Sequence, residues 1–154
     1  MAKIIRKAQL KDVSQIHEMI NNFAKKDLML ARSLNEIYEN LRDFWVCVEK
    51  GKVVGCAALH VVGWQGMAEV KSLAVAENRQ SKGIGRLMVA KCLREAKQLG
   101  AQKVFALTYV PDFFKKLRFK LLDKKELPER IWAECRNCPK FPNCEEIAVI
   151  KKIK

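Results

Sequence analysis

Apolar residues at Val13, Ile16, Met19, Ile20 and Phe23 recur at the three- and four-residue spacing of one helix face, and Asp12 in front of them predicts the N-cap. Ser33, with Glu36 three residues on, has the form of a capping box and predicts a second helix through Ile37, Tyr38 and Leu41. The pattern then shortens to strands. Phe44 to Glu49 is rich in Val and aromatics, Gly51-Lys52 predicts the turn, and Val53 to Val62 returns as the second arm of a hairpin. Trp64-Gln65-Gly66 predicts another turn and Ala68 to Val75 another strand. Lys3 to Ala8, short and half apolar, predicts a strand ahead of them all.

After Val75 the chain is polar to Lys82, and then Leu87, Met88, Ala90, Leu93, Ala96, Lys97 and Leu99 form a strong helical face ended by Gly100. Lys103 to Thr108 predicts a strand, Pro111 to Leu117 a short helix opened by its proline, and Ile147 to Ile150 the last strand. No repeat or low-complexity segment interrupts the order. An antiparallel meander followed by strand–helix–strand predicts α/β (α+β) architecture with a mixed sheet, as one domain over residues 1–154.

Composition narrows the class. With 49% hydrophobic and 31% charged residues the chain is expected to pack, and seven glycines with four prolines exclude a collagen-like or linker-rich chain. Thirty Lys+Arg against 17 Asp+Glu leave +13, which calls for an anionic partner: nucleic acid, membrane surface or phosphorylated cofactor. No apolar run approaches the roughly 18 residues that span a bilayer. Met1 to Leu10 lacks the apolar core of a secretion signal, so the expected compartment is the cytoplasm, where six cysteines are reduced thiols or metal ligands.

The most informative stretch is Leu73-Ala74-Val75, then Gln80-Ser81-Lys82-Gly83-Ile84-Gly85 opening a long helix. Unclaimed backbone N–H groups, a helix dipole and absent side chains together suit a pyrophosphate. No Gly-Lys-Ser/Thr follows, and the third glycine of a dinucleotide fingerprint is missing.

That stretch resembles the GNAT superfamily of acetyl-coenzyme A-dependent N-acetyltransferases, whose signature is Gln/Arg-x-x-Gly-x-Gly/Ala after such a strand. The resemblance extends over nearly the whole order of elements. It implies a mostly antiparallel central sheet flanked by helices and splayed to form the acetyl-coenzyme A cleft. It also implies a pyrophosphate on the amides of Gln80 to Gly85, and a pantetheine arm paired to backbone at Leu73 and Val75.

Acetyl transfer needs a deprotonated amine, a polarised thioester carbonyl and a proton for the leaving thiolate. Glu69 matches the general base of several GNAT enzymes, and period-two alternation places it on one face with Lys71, Leu73 and Val75. A salt bridge to Lys71 is the alternative. Many relatives place a tyrosine acid in a Phe-Tyr-x-x-Leu-Gly-Phe-like run. Here that run is Phe113-Phe114-Lys115-Lys116-Leu117-Arg118-Phe119, so Phe114 replaces the tyrosine and Arg118 the glycine. Phe114 is expected to pack on the coenzyme. Thr108 is the nearest hydroxyl, with Tyr109 beside it.

A closer resemblance is to the acetyltransferase domain of N-acetylglutamate synthases, especially short single-domain forms. Leu30-Ala31-Arg32-Ser33, Phe44-Trp45-Val46, Gly55-Cys56-Ala57-Ala58-Leu59, Glu69 to Val75, Leu127-Pro128, Trp132-Ala133-Glu134-Cys135 and Cys138 to Pro142 carry it. Those synthases also lack the tyrosine. The resemblance implies L-glutamate as acceptor, in the reaction that opens arginine biosynthesis. A dicarboxylate needs fixed cations: Arg32 matches the carboxylate-binding arginine, Arg130 is a second candidate, and Lys71 and Ser72 are expected to line the same site.

Cys135-x2-Cys138-x5-Cys144 supplies three thiolates for a structural zinc if a fourth ligand joins them, against packed or free thiols. Cys47, Cys56 and Cys92 fall on apolar faces and are expected in the core, and His17 and His60 are isolated. The alternatives are another small amine or a protein amine as acceptor, and a basic nucleic-acid- or metal-binding module. No nucleic-acid-binding signature accompanies the basic run Lys115, Lys116, Arg118, Lys120, Lys124 and Lys125. The expected partners are therefore small molecules rather than nucleic acid or membrane, with a homodimer left open.

Overall fold

A computed structural model describes residues 3–62, 66–80, 82–126 and 146–153. The helices are α1 (Val13–Ala24), α2 (Leu34–Glu39), α3 (Ile84–Gln98) and α4 (Pro111–Lys116). The strands are β1 (Lys3–Lys7), β2 (Phe44–Glu49), β3 (Lys52–Val62), β4 (Met67–Val75), β5 (Lys103–Thr108), β6 (Lys120–Leu122) and β7 (Ile147–Lys152). Among the described residues they form one seven-stranded sheet in the order β1-β2-β3-β4-β5-β7-β6. Pairings β1–β2, β2–β3, β5–β7 and β6–β7 are antiparallel and β4–β5 is parallel. This is the mixed, mostly antiparallel α/β sheet the sequence predicts. Among the described residues no helix is long and apolar enough to cross a membrane.

The chain divides into two compact units, Met1–Leu59 with Val70–Glu95, and His60–Glu69 with Ala96–Lys154. In the first, α1 presents Val13, Ile16 and Ile20 to Ile37 of α2 and to Phe44, Val46, Val53, Cys56 and Ala58 of the hairpin. Full burial of each large aliphatic side chain stabilises by roughly 1.5–3 kcal/mol relative to exposure. Ser33 caps α2 as expected: its Oγ accepts the Glu36 N–H at 3.1 Å and its own N–H donates to Glu36 Oε1 at 3.2 Å.

Asp12 precedes α1 but its side chain does not cap that helix; it closes a capping box with Gln9 on the 3-10 turn Leu10–Asp12 that leads into it. Its carboxylate also faces Arg6, with Arg6 Nη1 at 2.7 Å and Nη2 at 3.1 Å, and accepts the Gln9 N–H at 2.7 Å. The carboxylate thus serves the guanidinium and the Gln9 amide together rather than the free amides of α1. The hairpin turn falls one residue earlier than the sequence suggests. Lys50 (φ +51°) and Gly51 (φ +77°) occupy its two positive-φ positions, and Glu49 pairs with Lys52. Between Cys47↔Gly55 and Val48↔Val53 the register shifts by one, so Val54 is the extra residue, and its carbonyl accepts the Ala76 N–H at 2.9 Å.

In the second unit Val62, Met67, Phe105 and Ala148 make the core, flanked by Leu107, Leu122 and Ile150. Helix α3 ends with Gly100 at φ +87°, where Ala101 N–H reaches Ala96 O and Gly100 N–H reaches Lys97 O, a Schellman ending. Helix α4 ends the same way: Phe119 N–H bonds Phe114 O, Arg118 N–H bonds Lys115 O, and Arg118 holds φ +70°. A side-chain-bearing residue in this left-handed position costs roughly 1–2 kcal/mol. Arg118→Gly should therefore raise stability by up to about 1 kcal/mol after glycine's own entropy cost. A higher urea midpoint checks it, and a lower one would refute the strain. Strand β6, three residues long, has no sequence signal of its own and exists by pairing with Ala148–Ile150 of β7.

Candidate active site

The exit of β4 is built as a braced loop leading to a helix start. Ala76 is tied to Val54, and a 3-10 turn, Glu77–Arg79, follows. Arg79 Nε donates to both carboxylate oxygens of Glu49, at 3.1 and 3.3 Å, which pins the turn to the end of β2. Glu77 at the other end of the turn pairs with Lys26. Gln80 folds its side chain back, Nε2 donating to Val75 O at 3.0 Å, so the signature glutamine braces the loop and engages Val75's backbone.

Gly83 stands at φ +81°, with nothing within 4 Å of where a Cβ would sit, so backbone conformation rather than crowding demands glycine there. The first helical bond of α3 is Leu87 N–H to Gly83 O at 3.1 Å. The amides of Ile84, Gly85 and Arg86 therefore precede the point at which helix carbonyls become available, and they carry the positive end of a 15-residue helix. Ile84 is buried and locks this end in place. A Cβ on Gly55 would lie 3.1 Å from Ile84 Cγ2, so Gly55 is what admits the helix start against β3. Lys82 is exposed beside the loop, and Ser81 lies outside the described residues.

The other predicted residues of this unit sit on two elements. Arg32 ends the α1–α2 connection, half-buried, with Nη1 3.4 Å from Glu36 Oε2. Lys71 and Ser72 are half-buried in β4, and Leu73 and Val75 follow them. Ser72 adopts φ +55°, and its carbonyl accepts Cys56 Sγ at 3.4 Å. A left-handed residue inside the strand breaks strict alternation, so Glu69 and Lys71 do not share a face with Leu73 and Val75 by simple periodicity.

In the second unit Glu69 is 6% exposed and is, among the described residues, the last β4 position paired to β5, opposite Phe105. Thr108 stands three residues further along β5, opposite Ile147 of β7, and is 7% exposed. Its Oγ1 accepts the Val110 N–H at 2.9 Å, which shapes the entry to α4 and leaves the hydroxyl hydrogen to be donated. Tyr109 is half-buried beside it.

Phe114 is 3% exposed and edge-to-face with Phe113 and Phe119 at centroid distances of 5.1 Å, which fixes its ring against α4 and the residues that follow it.

Arg130 and the triple Cys135, Cys138 and Cys144 lie outside the described residues, and with them the proposed zinc. Among the described residues no group of three or more His, Cys, Asp or Glu is placed to hold a metal. Cys47, Cys56 and Cys92 are buried as expected. Burial pushes the Cys56 and Cys92 thiols up to about 12, so neither supplies a thiolate nucleophile near neutral pH. Sequence reading missed the Glu49–Arg79 brace, whose partners are 30 residues apart. Gly55 carried a signal, a glycine inside a strand, that marks close approach.

A family model described as the acetyltransferase (GNAT) family matches residues 10–119. An uncharacterized N-acetyltransferase of Chlorobaculum tepidum is 41% identical over 149 residues, 97% of this chain and 96% of that protein. An amino-acid acetyltransferase of Mycobacterium tuberculosis is 33% identical over 138 residues, 87% of this chain and 78% of its own. Among solved structures, N-acetylglutamate synthase of Neisseria gonorrhoeae, complexed with coenzyme A and N-acetyl-glutamate, matches 100% of this chain with a TM-score of 0.91 at 23% identity. The chain spans 36% of that protein's length, and at this identity the likeness is one of fold.

Proposed function

We propose that this chain, which belongs to the acetyltransferase (GNAT) family, transfers the acetyl group of acetyl-coenzyme A to the α-amine of an amino acid, and that the amino acid is L-glutamate. The reaction would then be the one that opens arginine biosynthesis. The observation that carries the reading is the start of α3, where left-handed Gly83 presents three successive amides at the positive end of the helix. A pyrophosphate matches that site in charge and in its need for donors. The acceptor assignment is supported by the Mycobacterium relative's name, by the fold likeness to an N-acetylglutamate synthase, and by Arg32.

Glu69 takes a proton from the acceptor's ammonium. The freed amine attacks the thioester carbonyl, and backbone amides near Leu73 hold the developing oxyanion. Collapse forms the amide, breaks the carbon–sulfur bond and expels the thiolate. In this assignment the Thr108 hydroxyl gives its hydrogen to the sulfur and is refilled by the second proton that the attacking nitrogen sheds, so the hydroxyl ends unchanged. Lys82 adds charge beside the diphosphate, and Lys71 and Ser72 are assigned to the acceptor with Arg32.

The test is thiol release from acetyl-coenzyme A across the twenty amino acids and spermidine. Glutamate should give the highest kcat/KM, and turnover with spermidine alone would overturn the acceptor. Arg32→Ala should raise the glutamate KM roughly tenfold to a hundredfold, the range for one charge-assisted hydrogen-bonded contact, with kcat changed far less. An unaltered KM would remove Arg32 from the site.

A further inference from the structure

Arg32 owes its position to a residue with no assigned role. The side chain of Asn21, in the last turn of α1, makes a reciprocal pair with the Arg32 backbone. Its Nδ2 donates to Arg32 O at 2.9 Å and its Oδ1 accepts the Arg32 N–H at 3.3 Å. The second Nδ2 hydrogen goes to His17 O at 2.8 Å. Both donors and one acceptor are thus engaged, and exchanging the amide's N and O would set donor against the Arg32 N–H, so the orientation is fixed by the network itself. The two bonds to Arg32 imitate a strand pairing. They anchor the backbone from which the guanidinium projects, just ahead of the Ser33 cap that starts α2.

We infer that Asn21 is a positioning residue for the acceptor: by clamping the Arg32 peptide it holds the guanidinium where a substrate carboxylate meets it. This rests on the assignment of Arg32 to the acceptor given above. An arginine on an unclamped connection would have to be ordered at each binding event, and that entropy would come out of acceptor affinity. Coenzyme binding, which uses the start of α3, does not involve the clamp.

The experiment is a double-mutant cycle on kinetics. Asn21→Ala should raise the KM for glutamate about fivefold to tenfold, the loss expected for one to two neutral hydrogen bonds. Its kcat and its coenzyme affinity by calorimetry should stay near wild type. In the Arg32→Ala background the same substitution should add nothing, because there is no guanidinium left to place. A glutamate KM unmoved by Asn21→Ala, where Arg32→Ala raises it, overturns the clamp and leaves the Arg32 assignment standing. An equal rise in both backgrounds also overturns it, since a merely structural staple behaves that way. If Arg32→Ala itself leaves KM unchanged, both readings fall together. Should Asn21→Ala not fold by circular dichroism, Asn21→Asp, which keeps the acceptor for the Arg32 N–H and loses both donations, takes its place with the same criteria.

Discussion

Glu69→Gln is expected to lower kcat by about 10²–10⁴-fold, the contribution of a positioned general base, while leaving coenzyme affinity unchanged. Glutamine has nearly the same shape and keeps one acceptor oxygen, so the strand that carries it, paired through Glu69↔Phe105, has no packing reason to rearrange. What it loses is the capacity to take a proton. The acceptor arrives as an ammonium, which has no lone pair to attack with, so every turnover requires that transfer. At 6% exposure Glu69 stands where bulk water is a poor substitute base. Coenzyme affinity should not follow, because the donors proposed for the diphosphate are the amides of Ile84, Gly85 and Arg86 and not this carboxylate. Steady-state kinetics with isothermal titration of coenzyme A separates the two effects. An unchanged kcat would leave Glu69 as a buried structural carboxylate, and a parallel loss of coenzyme binding would point to a displaced strand.

Local signals carried most of the fold. The α1 stripe and the Ser33–Glu36 box are legible because each needs only residues within one or two turns, and the structure keeps both. Gly83 is legible for a similar reason: a polar loop between a strand and an apolar helical run demands a residue free to take positive φ. The misreadings share another cause. Asp12 has the position of a cap, but nothing local announces that Arg6 will fold back to claim it. Ser72 at φ +55° is a serine where glycine or asparagine would have given warning. The contact between Phe114 and Phe119 likewise has no local signal, because the two rings meet only where the α4 ending turns the chain back. Strand β6 and the Glu49–Arg79 brace depend wholly on partners distant in sequence, and no periodicity within them could have shown it.

The Arg6–Asp12 pair leads to the largest expected effect on stability. Asp12 is 3% exposed whereas the Arg6 side chain retains 27% of its surface, so the two partners are not equivalent. Burial is the largest single influence on Asp12 and pushes its carboxyl upward. The Arg6 hydrogen bonds, the Gln9 amide and the nearby charges of Arg6 and Lys11 together outweigh it and hold the group below its ordinary value. Its contribution to stability is therefore complete above the unfolded-state pKa of about 3.9 and is lost as the pH falls through the lower folded value. Arg6→Ala removes the main compensating partner and leaves burial opposed only by the Gln9 amide and the more distant Lys11 charge. Near neutral pH the cost should be about 3–5 kcal/mol, or roughly 6–20 °C in Tm for a chain of this size. Without Arg6 the folded-state value of Asp12 moves back up, so the wild type loses on acidification a contribution that the variant already lacks, and the deficit should shrink as the pH falls towards and below about 4. Asp12→Asn should cost less than Arg6→Ala, because its amide oxygen still accepts from Gln9 or Arg6 and the abandoned guanidinium already reaches water. Urea unfolding of the three proteins across this pH range checks all of it, and a deficit for Arg6→Ala that stays constant with pH would mean the carboxylate is solvated without its partner.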